Sequence, residues 1–151
     1  MNIRQAHAED VPHIAGLVNS LTSFMVSKGS SAVPAWLINT LTVPAFKQRM
    51  SDAHYVHLVC CDDKAILGYL ALKGGDHLYH LFVNQSHHGQ GIARKLWGTV
   101  QQQQKLAGRV IVRASLFAVP VYQRLGFQLA GPQEHYDGLD FQPMVYFKAV
   151  N

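Results

Sequence analysis

The sequence has 151 residues, of which 48% are apolar and 15% are charged. A chain of this length buries roughly 68–70% of the surface that its unfolded form exposes, and the composition excludes disordered, collagen-like and coiled-coil proteins. The 13 Lys and Arg residues exceed the 9 Asp and Glu residues by four, which does not predict a nucleic-acid partner but suits an anionic ligand. We expect one domain over residues 1–151.

The N-terminal segment and the cysteines indicate where the protein resides. Glu9 and Asp10 stand where a signal peptide needs an apolar stretch, and no apolar run reaches the roughly 18 residues of a membrane helix. Cys60 and Cys61 are adjacent on a predicted strand, so their side chains point to opposite faces and a structural disulfide between them is excluded. We therefore expect a cytoplasmic protein without a membrane partner.

The first 27 residues predict a strand followed by a helix. Residues 3–6 are a short strand, and Asp10 is expected to cap a helix that reaches Ser27. Its apolar residues recur at three- and four-residue steps and form one stripe: Ile14, Leu17, Val18, Leu21 and Met25.

Residues 33–50 have a helical pattern that two prolines interrupt. Because proline disrupts a helix interior, Pro34 and Pro44 predict two short helices, with Thr42 as the cap of the second. The aromatic side chains of these first helices are interpreted as core residues: Phe24, Trp36 and Phe46.

The middle of the chain predicts three strands in succession. Residues 54–61 and 65–73 are two strand-like runs separated by three polar residues, which is the pattern of a hairpin. A turn at 74–76 then leads into a third strand-like run at 77–83. The histidines on these runs are three residues apart and fall on opposite strand faces, so no metal site is predicted from either pair: His54 with His57, or His77 with His80.

The rest of the chain alternates between helices and strands. The predicted elements are a helix over 92–106 that stops at Gly108, a strand over 109–114, a helix over 118–125 that stops at Gly126, and strands over 127–130 and 141–149. Residues 133–138 join the last two strands and are predicted to form a solvated hairpin. The order predicts an α/β fold with a mixed, mostly antiparallel sheet of six to seven strands and helices on both faces.

A glycine-rich loop separates the third strand from the helix that follows it. Gly89 and Gly91 lack a Cβ atom, so the backbone there can take a positive φ and approach a ligand closely. The free amides of the helix start then form a phosphate site, which would explain Arg94 and Lys95 in the first turn. The alternative interpretation is a plain connection with a solvated basic turn.

Two segments resemble signatures of a known family. Residues 88–93, with the sequence HGQGIA, resemble the (Q/R)xxGx(G/A) segment of the GNAT superfamily, the acetyl-CoA-dependent N-acetyltransferases, with His88 in place of Gln or Arg. Residues 115–127 resemble the family's NxxAxxxYxxxGF segment, with Ser115 in place of Asn. The resemblance extends over nearly the whole chain and implies a single GNAT-like domain.

The resemblance implies a binding site for coenzyme A. In this family the diphosphate lies on the glycine loop, which here comprises His88, Gly89, Gln90, Gly91, Ile92, Ala93 and Arg94. Pantetheine pairs like an added strand with the preceding strand, here Leu81, Phe82 and Val83, of which the first and third direct their amides to one edge. Ser115 either hydrogen-bonds to pantetheine or caps the following helix.

The resemblance also assigns the proton transfers. Tyr122 occupies the usual general-acid position, where a phenol can give a proton to the departing thiolate; without the resemblance it reads as a core tyrosine. His77 stands where some relatives carry a glutamate base, and a neutral imidazole can accept the proton of the amine, with ordered water as the alternative. We expect His77 to lie on the same strand face as Tyr79, Leu81 and Val83. His80 is expected to lie on the opposite face as a structural histidine.

These residues predict an N-acetyltransferase that moves an acetyl group from acetyl-CoA to a small-molecule or peptide primary amine by direct attack in a ternary complex. No activated nucleophile is visible, so no acyl-enzyme is expected. The alternative is a non-catalytic acyl-CoA-binding sensor or regulatory module of the same fold, which the departures at His88 and Ser115 favour. The resemblance also allows a homodimer, an aromatic acceptor wall formed by the first helices, and a cover over the amine from the loop that carries Glu134.

Overall fold

One mixed β-sheet organises the chain. The computed structural model describes residues 1–26 and 33–148, and within them the sheet has eight strands in the order β1-β2-β3-β4-β5-β8-β6, with β7 alongside β8. Only β4 and β5 are parallel neighbours. The strands are β1 (Asn2–Gln5), β2 (Tyr55–Cys61), β3 (Ile66–Lys73), β4 (His77–Val83), β5 (Arg109–Ser115), β6 (Gln128–Leu129), β7 (Glu134–Tyr136) and β8 (Leu139–Phe147).

Helices cover both faces of this sheet. They are α1 (Val11–Ser20), α2 (Ala35–Thr40), α3 (Val43–Met50), α4 (Ile92–Gln103) and α5 (Val119–Arg124). Short 3-10 turns occupy Thr22–Phe24, Gln85–His87 and Leu116–Ala118. The predicted mixed α/β sheet with helices on both faces is confirmed, with eight strands in place of six or seven. None of the helices in the described ranges has the length and apolar character that a bilayer crossing demands.

Alternate side chains of β3 build two separate cores. Leu70 and Leu72 lie in the core under α4, together with Leu96, Trp97 and Val100. Tyr69 and Ala71 lie in the core under α1, together with Ile14 and Val18. Because successive strand residues point to opposite faces, a continuous apolar run such as β3 buries both of its sides.

Gly68 of β3 fixes the position of the start of α4. A Cβ atom at Gly68 would lie 2.8 Å from Cγ2 of Ile92 and 3.1 Å from Cδ1 of Leu96. The missing side chain therefore lets the first turn of α4 pack directly on the sheet, next to the glycine loop.

The boundaries of the first helices agree with the predictions at one point and differ at two. Thr42 caps α3 as expected, accepting a hydrogen bond from the Ala45 amide at 3.2 Å. The expected cap at Asp10 is wrong, because its carboxylate instead binds both Nη atoms of Arg4 and the His7 amide, at 2.7, 2.9 and 2.7 Å. The helix from Asp10 ends early, and the last residue predicted for it, Ser27, lies outside the described ranges.

Two further boundaries follow local geometry. The helix α4 ends at Gln103, so Gly108 is not its stop, because Gln104 already takes an extended conformation with φ −112° and ψ 146°. Residues 133–138 form a solvated hairpin as expected, since the exposed strand β7 pairs with β8. Val26 adds an isolated bridge to Leu139 at the start of β8.

A β-bulge interrupts the pairing of β3 with β4. Ala71 pairs with His80, but Leu72 pairs with Leu78, so Tyr79 is an extra residue in β4. A bulge bends its strand and redirects side chains at that point. The strand alternation before Tyr79 is therefore out of phase with the alternation after it.

Because of the bulge, the first residues of β4 face the opposite side of the sheet from the one predicted. Leu81 and Val83 pack in the core under α4, whereas Tyr79 packs in the core under α1. His77 pairs with Lys73, which is two residues after Ala71 and therefore faces α1 as Ala71 does. The ring of His77 lies 5.8 Å from the ring of Tyr79. The prediction that His77 and Tyr79 share a face with Leu81 and Val83, opposite His80, is wrong, because one inserted residue inverts the alternation.

Candidate functional site

A gap opens between the parallel strands β4 and β5. In the described residues their ladder consists of one pair, His77 with Ile111, where the Ile111 amide donates to the Asp76 carbonyl at 2.9 Å. On the other side of β4, the Asn84 amide donates to the Leu67 carbonyl at 2.8 Å. Because hydrogen bonding alternates along an antiparallel strand, residues 81 and 83 direct their backbone groups away from β3 and into the gap.

The glycine loop lies at the end of this gap. Gly89 and Gly91 have φ angles of 80° and 79°, so the expected positive φ is confirmed at both. A Cβ atom at either position would meet nothing within 4 Å, which means that the space in front of the loop is open. Gly91 is the N-cap of α4, and the first helical bond joins the Lys95 amide to its carbonyl at 3.0 Å.

The first amides of α4 are available to an anion. Ile92, Ala93 and Arg94 occupy the first turn, where backbone N–H groups have no partner inside the helix. The side chain of Ile92 is buried in the core under α4 and anchors this turn. A helix N-terminus with free amides and an open approach is suited to a phosphate group.

Two side chains of the loop already have partners within the chain. His88 donates from Nε2 to the Val83 carbonyl at 2.8 Å, which is one of the groups that face the gap. Arg94 donates from Nη2 to the Arg124 carbonyl at 3.4 Å and so joins the start of α4 to the end of α5. A cation at the C-terminal end of α5 is itself favourable, which gives Arg94 a structural role beside the predicted one. Gln90 is exposed.

Tyr122 is buried on the α4 side of the sheet. Its side chain is 6% exposed and packs edge-on against Phe127, with the ring centroids 5.5 Å apart. Burial raises the pKa of Tyr122 well above its ordinary value, so the phenol keeps its proton at neutral pH. The protonated phenol is the form that a general acid requires.

Ser115 is the last residue of β5, one of the two strands that border the gap. It precedes the 3-10 turn Leu116–Ala118, but its side chain makes no capping hydrogen bond there. The interpretation of Ser115 as a helix cap is therefore wrong, and its hydroxyl group remains a candidate contact for a ligand in the gap.

His77 lies at the point where β5 departs from β4. Burial, and then the positive charge of Lys73, lower the pKa of His77, so the ring is neutral at pH 7 and able to accept a proton. His77 is on the α1 side of the sheet, whereas Tyr122 is on the α4 side. His77 and Tyr122 therefore lie on opposite faces of the sheet.

Tyr79 is the centre of a polar and aromatic cluster that sequence reasoning missed. Its ring lies 4.5 Å from His80 and 5.4 Å from Tyr55, and the guanidinium carbon of Arg49 lies 5.4 Å from its centroid. Arg49 belongs to α3, far from β4 in the chain, and no spacing signal joins the two. Burial lowers the pKa of His80 well below its ordinary value, so His80 is neutral.

The aromatic residues of the first helices differ in their surroundings. Phe46 is fully buried, and the prediction of a core residue is confirmed for it. Trp36 is 39% exposed, and its Nε1 donates to Asp137 Oδ2 at 2.9 Å, so it is not a core residue. Phe24 packs against Phe117 with the ring centroids 4.5 Å apart. Across residues 1–26 and 33–148, no three His, Cys, Asp or Glu side chains converge to hold a metal ion.

Comparison with solved structures places this fold among N-acetyltransferases. A GCN5-related N-acetyltransferase from Rhodopseudomonas palustris superposes with a TM-score of 0.78 at 20% identity, covering 97% of this chain and 95% of the other. The PaiA N-acetyltransferase from Thermoplasma acidophilum, solved in complex with coenzyme A, has a TM-score of 0.77 at 17% identity, covering 97% and 98%. A variant of the spermidine N-acetyltransferase SpeG from Vibrio cholerae has a TM-score of 0.66 at 16% identity, covering 97% and 95%.

Sequence comparison gives the family itself. No curated protein matches the sequence. The profile of the acetyltransferase (GNAT) domain, however, matches residues 25–147, a range that contains the gap, the glycine loop and Tyr122. The chain therefore belongs to the GNAT acetyltransferase family.

Proposed function

We propose that this chain is an acetyl-CoA-dependent N-acetyltransferase that acts on a primary amine. The observation that carries the proposal is the gap between β4 and β5, which contains the backbone groups of residues 81 and 83 and ends at the open glycine loop. An extended thioester with a diphosphate at one end has the length and chemistry to fill such a gap.

The residues present fit this cofactor. The amides of the first turn of α4 would hold its diphosphate, since Gly89 and Gly91 leave the approach open. The backbone groups of Leu81 and Val83 would pair with its pantetheine arm, next to Phe82, and the Ser115 hydroxyl group is a further polar contact. His88 must release the Val83 carbonyl before that carbonyl can accept a hydrogen bond from pantetheine. Acetyl-CoA supplies the activated acetyl group.

The proposed chemistry uses the two flanking side chains. The amine nitrogen attacks the thioester carbonyl, so an N–C bond forms, the C–S bond breaks, and N-acetylated amine and free coenzyme A result. His77, directly or through ordered water, accepts the proton that the ammonium group must lose. Tyr122 gives a proton to the departing sulfur. Neither side chain forms a covalent bond with the acetyl group.

Product analysis tests the proposal. The purified chain is incubated with acetyl-CoA and a panel of amino acids, polyamines, aminoglycosides and peptides with free N-termini or lysines, and mass spectrometry detects acetylated products and free coenzyme A. We expect at least one amine to be acetylated in proportion to enzyme concentration. If acetyl-CoA raises the melting temperature but no amine in the panel is acetylated, the chain is the acyl-CoA-binding sensor instead.

Replacing His77 with glutamine tests the proposed base. We expect His77→Gln to lower kcat/KM at neutral pH by at least about tenfold, because general-base catalysis contributes roughly 10²–10⁴-fold. Because the pKa of His77 is lowered, wild-type kcat/KM should decline only as the pH falls below 6.5, and the variant should lose that dependence.

The matched control for His77 is His54→Gln, since His54 is a strongly exposed histidine paired with Asp52 at the start of β2. This variant should keep the wild-type profile. If His77→Gln leaves both kcat/KM at neutral pH and its decline at acidic pH unchanged, His77 is not the base and ordered water takes that role.

A further inference from the structure

The cluster around Tyr79 carries three cations that the proton transfers do not use. The Arg49 guanidinium carbon lies 5.4 Å from the centroid of Tyr79, and Nζ of Lys73 lies 5.6 Å from the centroid of Tyr55. The rings of Tyr55 and Tyr79 are 5.4 Å apart. Arg113 of β5 is the third cation. Lys73 pairs with His77 in the β3–β4 ladder, and Arg113 lies two residues after Ile111, the partner of His77 in the β4–β5 ladder, so both cations are near that ring.

None of these cations forms a salt bridge with a carboxylate among the described residues. The ion pairs within residues 1–26 and 33–148 join Arg4 to Asp10, His54 to Asp52 and His135 to Asp140, and so leave Arg49, Lys73 and Arg113 without one. The acidic groups nearby are Asp76, which acts on His77 and is exposed, and Asp52, whose pKa is lowered mainly by hydrogen bonds from His54 and slightly by the charge of Lys73. Three cations thus face two carboxylates. The region therefore has an excess of positive charge.

Arg49 also has an unsatisfied donor. Its Nη2 donates to the Thr40 carbonyl at 2.7 Å, but its Nε is buried and has no partner among residues 1–26 and 33–148, and the same is true of Nδ1 of His80. Buried polar groups without partners are uncommon and indicate a missing ligand, ion or water. The guanidinium is half-buried over Phe46 and Tyr79, which reduces solvent screening of its charge.

The cluster adjoins the gap on the face from which an amine would reach the thioester. His77 marks the point where β5 leaves β4 and is in ring contact with Tyr79 at 5.8 Å. Tyr122 and the core under α4 occupy the opposite face. A substrate whose amine lies near His77 therefore has its neighbouring groups next to Arg49, Lys73 and Arg113.

We propose that the acceptor is a small primary amine that also carries a carboxylate, as an amino acid does, and that Arg49, Lys73 and Arg113 bind this carboxylate. This inference rests on the proposed function and names its substrate class. A guanidinium binds a carboxylate through two parallel hydrogen bonds with defined geometry. A polycation such as spermidine would bring further positive charge to a region that already has an excess, so polyamines are disfavoured.

The test compares each protein amino acid with its α-carboxamide, and includes spermidine. The affinity of each compound is measured by calorimetry in the presence of free coenzyme A, and turnover is measured separately with acetyl-CoA. We expect the best amino acid to bind at least about tenfold more tightly than its carboxamide, about 1.4 kcal/mol, and spermidine to bind more weakly than either.

Two variants and one control locate the carboxylate. Arg49→Met keeps an unbranched side chain over Phe46, and Arg113→Met changes an exposed residue of β5. Each should reduce the preference for the acid by at least about threefold while leaving coenzyme A affinity unchanged. Arg109→Met, an exposed arginine at the other end of β5, should keep the preference.

Measuring binding and turnover separately distinguishes the proposed carboxylate site from the proposed transferase activity. Equal affinity for acid and carboxamide, or a preference for spermidine, overturns the carboxylate site, even if an amine is acetylated and the transferase activity stands. Selective binding of the acid that both variants weaken supports the site, even if no product forms and the transferase proposal fails.

Discussion

Tyr122→Phe is expected to lower kcat by roughly 10²–10⁴-fold, the usual contribution of a positioned proton donor, while acetyl-CoA affinity stays within about twofold of the wild type. The variant keeps the ring and its edge-on contact with Phe127. Because the aromatic ring and its packing are kept, the free energy of unfolding should change little. Pre-steady-state kinetics with saturating acetyl-CoA measure the rate of transfer.

Tyr146→Phe is the matched control for this variant. Tyr146 packs in the same aromatic group, 5.5 Å from Phe127, and its hydroxyl group accepts a hydrogen bond from Gln101 at 2.6 Å. It should keep the wild-type kcat. Because the pKa of Tyr122 is raised, the wild-type rate should not decline through pH 10, the ordinary pKa of tyrosine. A Tyr122→Phe enzyme that loses acetyl-CoA affinity but transfers normally once loaded would make Tyr122 a core residue only.

The order of strands and helices was accessible to sequence reasoning because its signals are local. The polar residues between β2 and β3, and the paired prolines Pro34 and Pro44, each act over a few positions. Gly89 and Gly91 are equally local, since a positive φ at a helix start depends on the missing Cβ atom alone. These features needed no knowledge of distant contacts.

The parts that could not be predicted depend on pairing between distant segments. In the run HLYHLFV of β4, apolar and aromatic side chains occur at both odd and even positions, so the run itself does not show that Tyr79 is an extra residue. The bulge is defined only by how β4 pairs with β3. Arg49 reaches Tyr79 because α3 packs beside the sheet. The strand β7 has three residues and pairs only because β8 lies beside it. The surroundings of Tyr79 and Arg49 were thus harder to predict from the sequence than the glycine loop.

Gly91→Val is expected to weaken coenzyme A binding by at least tenfold, about 1.4 kcal/mol in binding free energy. Gly91 has a φ of 79°, which an L-residue adopts at a cost of about 1–2 kcal/mol. A Cβ atom there meets no protein atom within 4 Å, so the added side chain enters the space in front of the free amides. That space is where the diphosphate would lie.

The comparison with Gly131→Val separates backbone strain from obstruction of the ligand. Gly131 has a φ of 123° and open space around its Cβ position, but it lies in the turn before β7, away from the glycine loop. Both variants should lose about 1–2 kcal/mol of unfolding free energy in urea titrations, yet only Gly91→Val should lose coenzyme A affinity in calorimetry. Wild-type affinity in Gly91→Val would mean that no diphosphate rests on the amides at the start of α4, because a branched side chain cannot occupy that approach without displacing it.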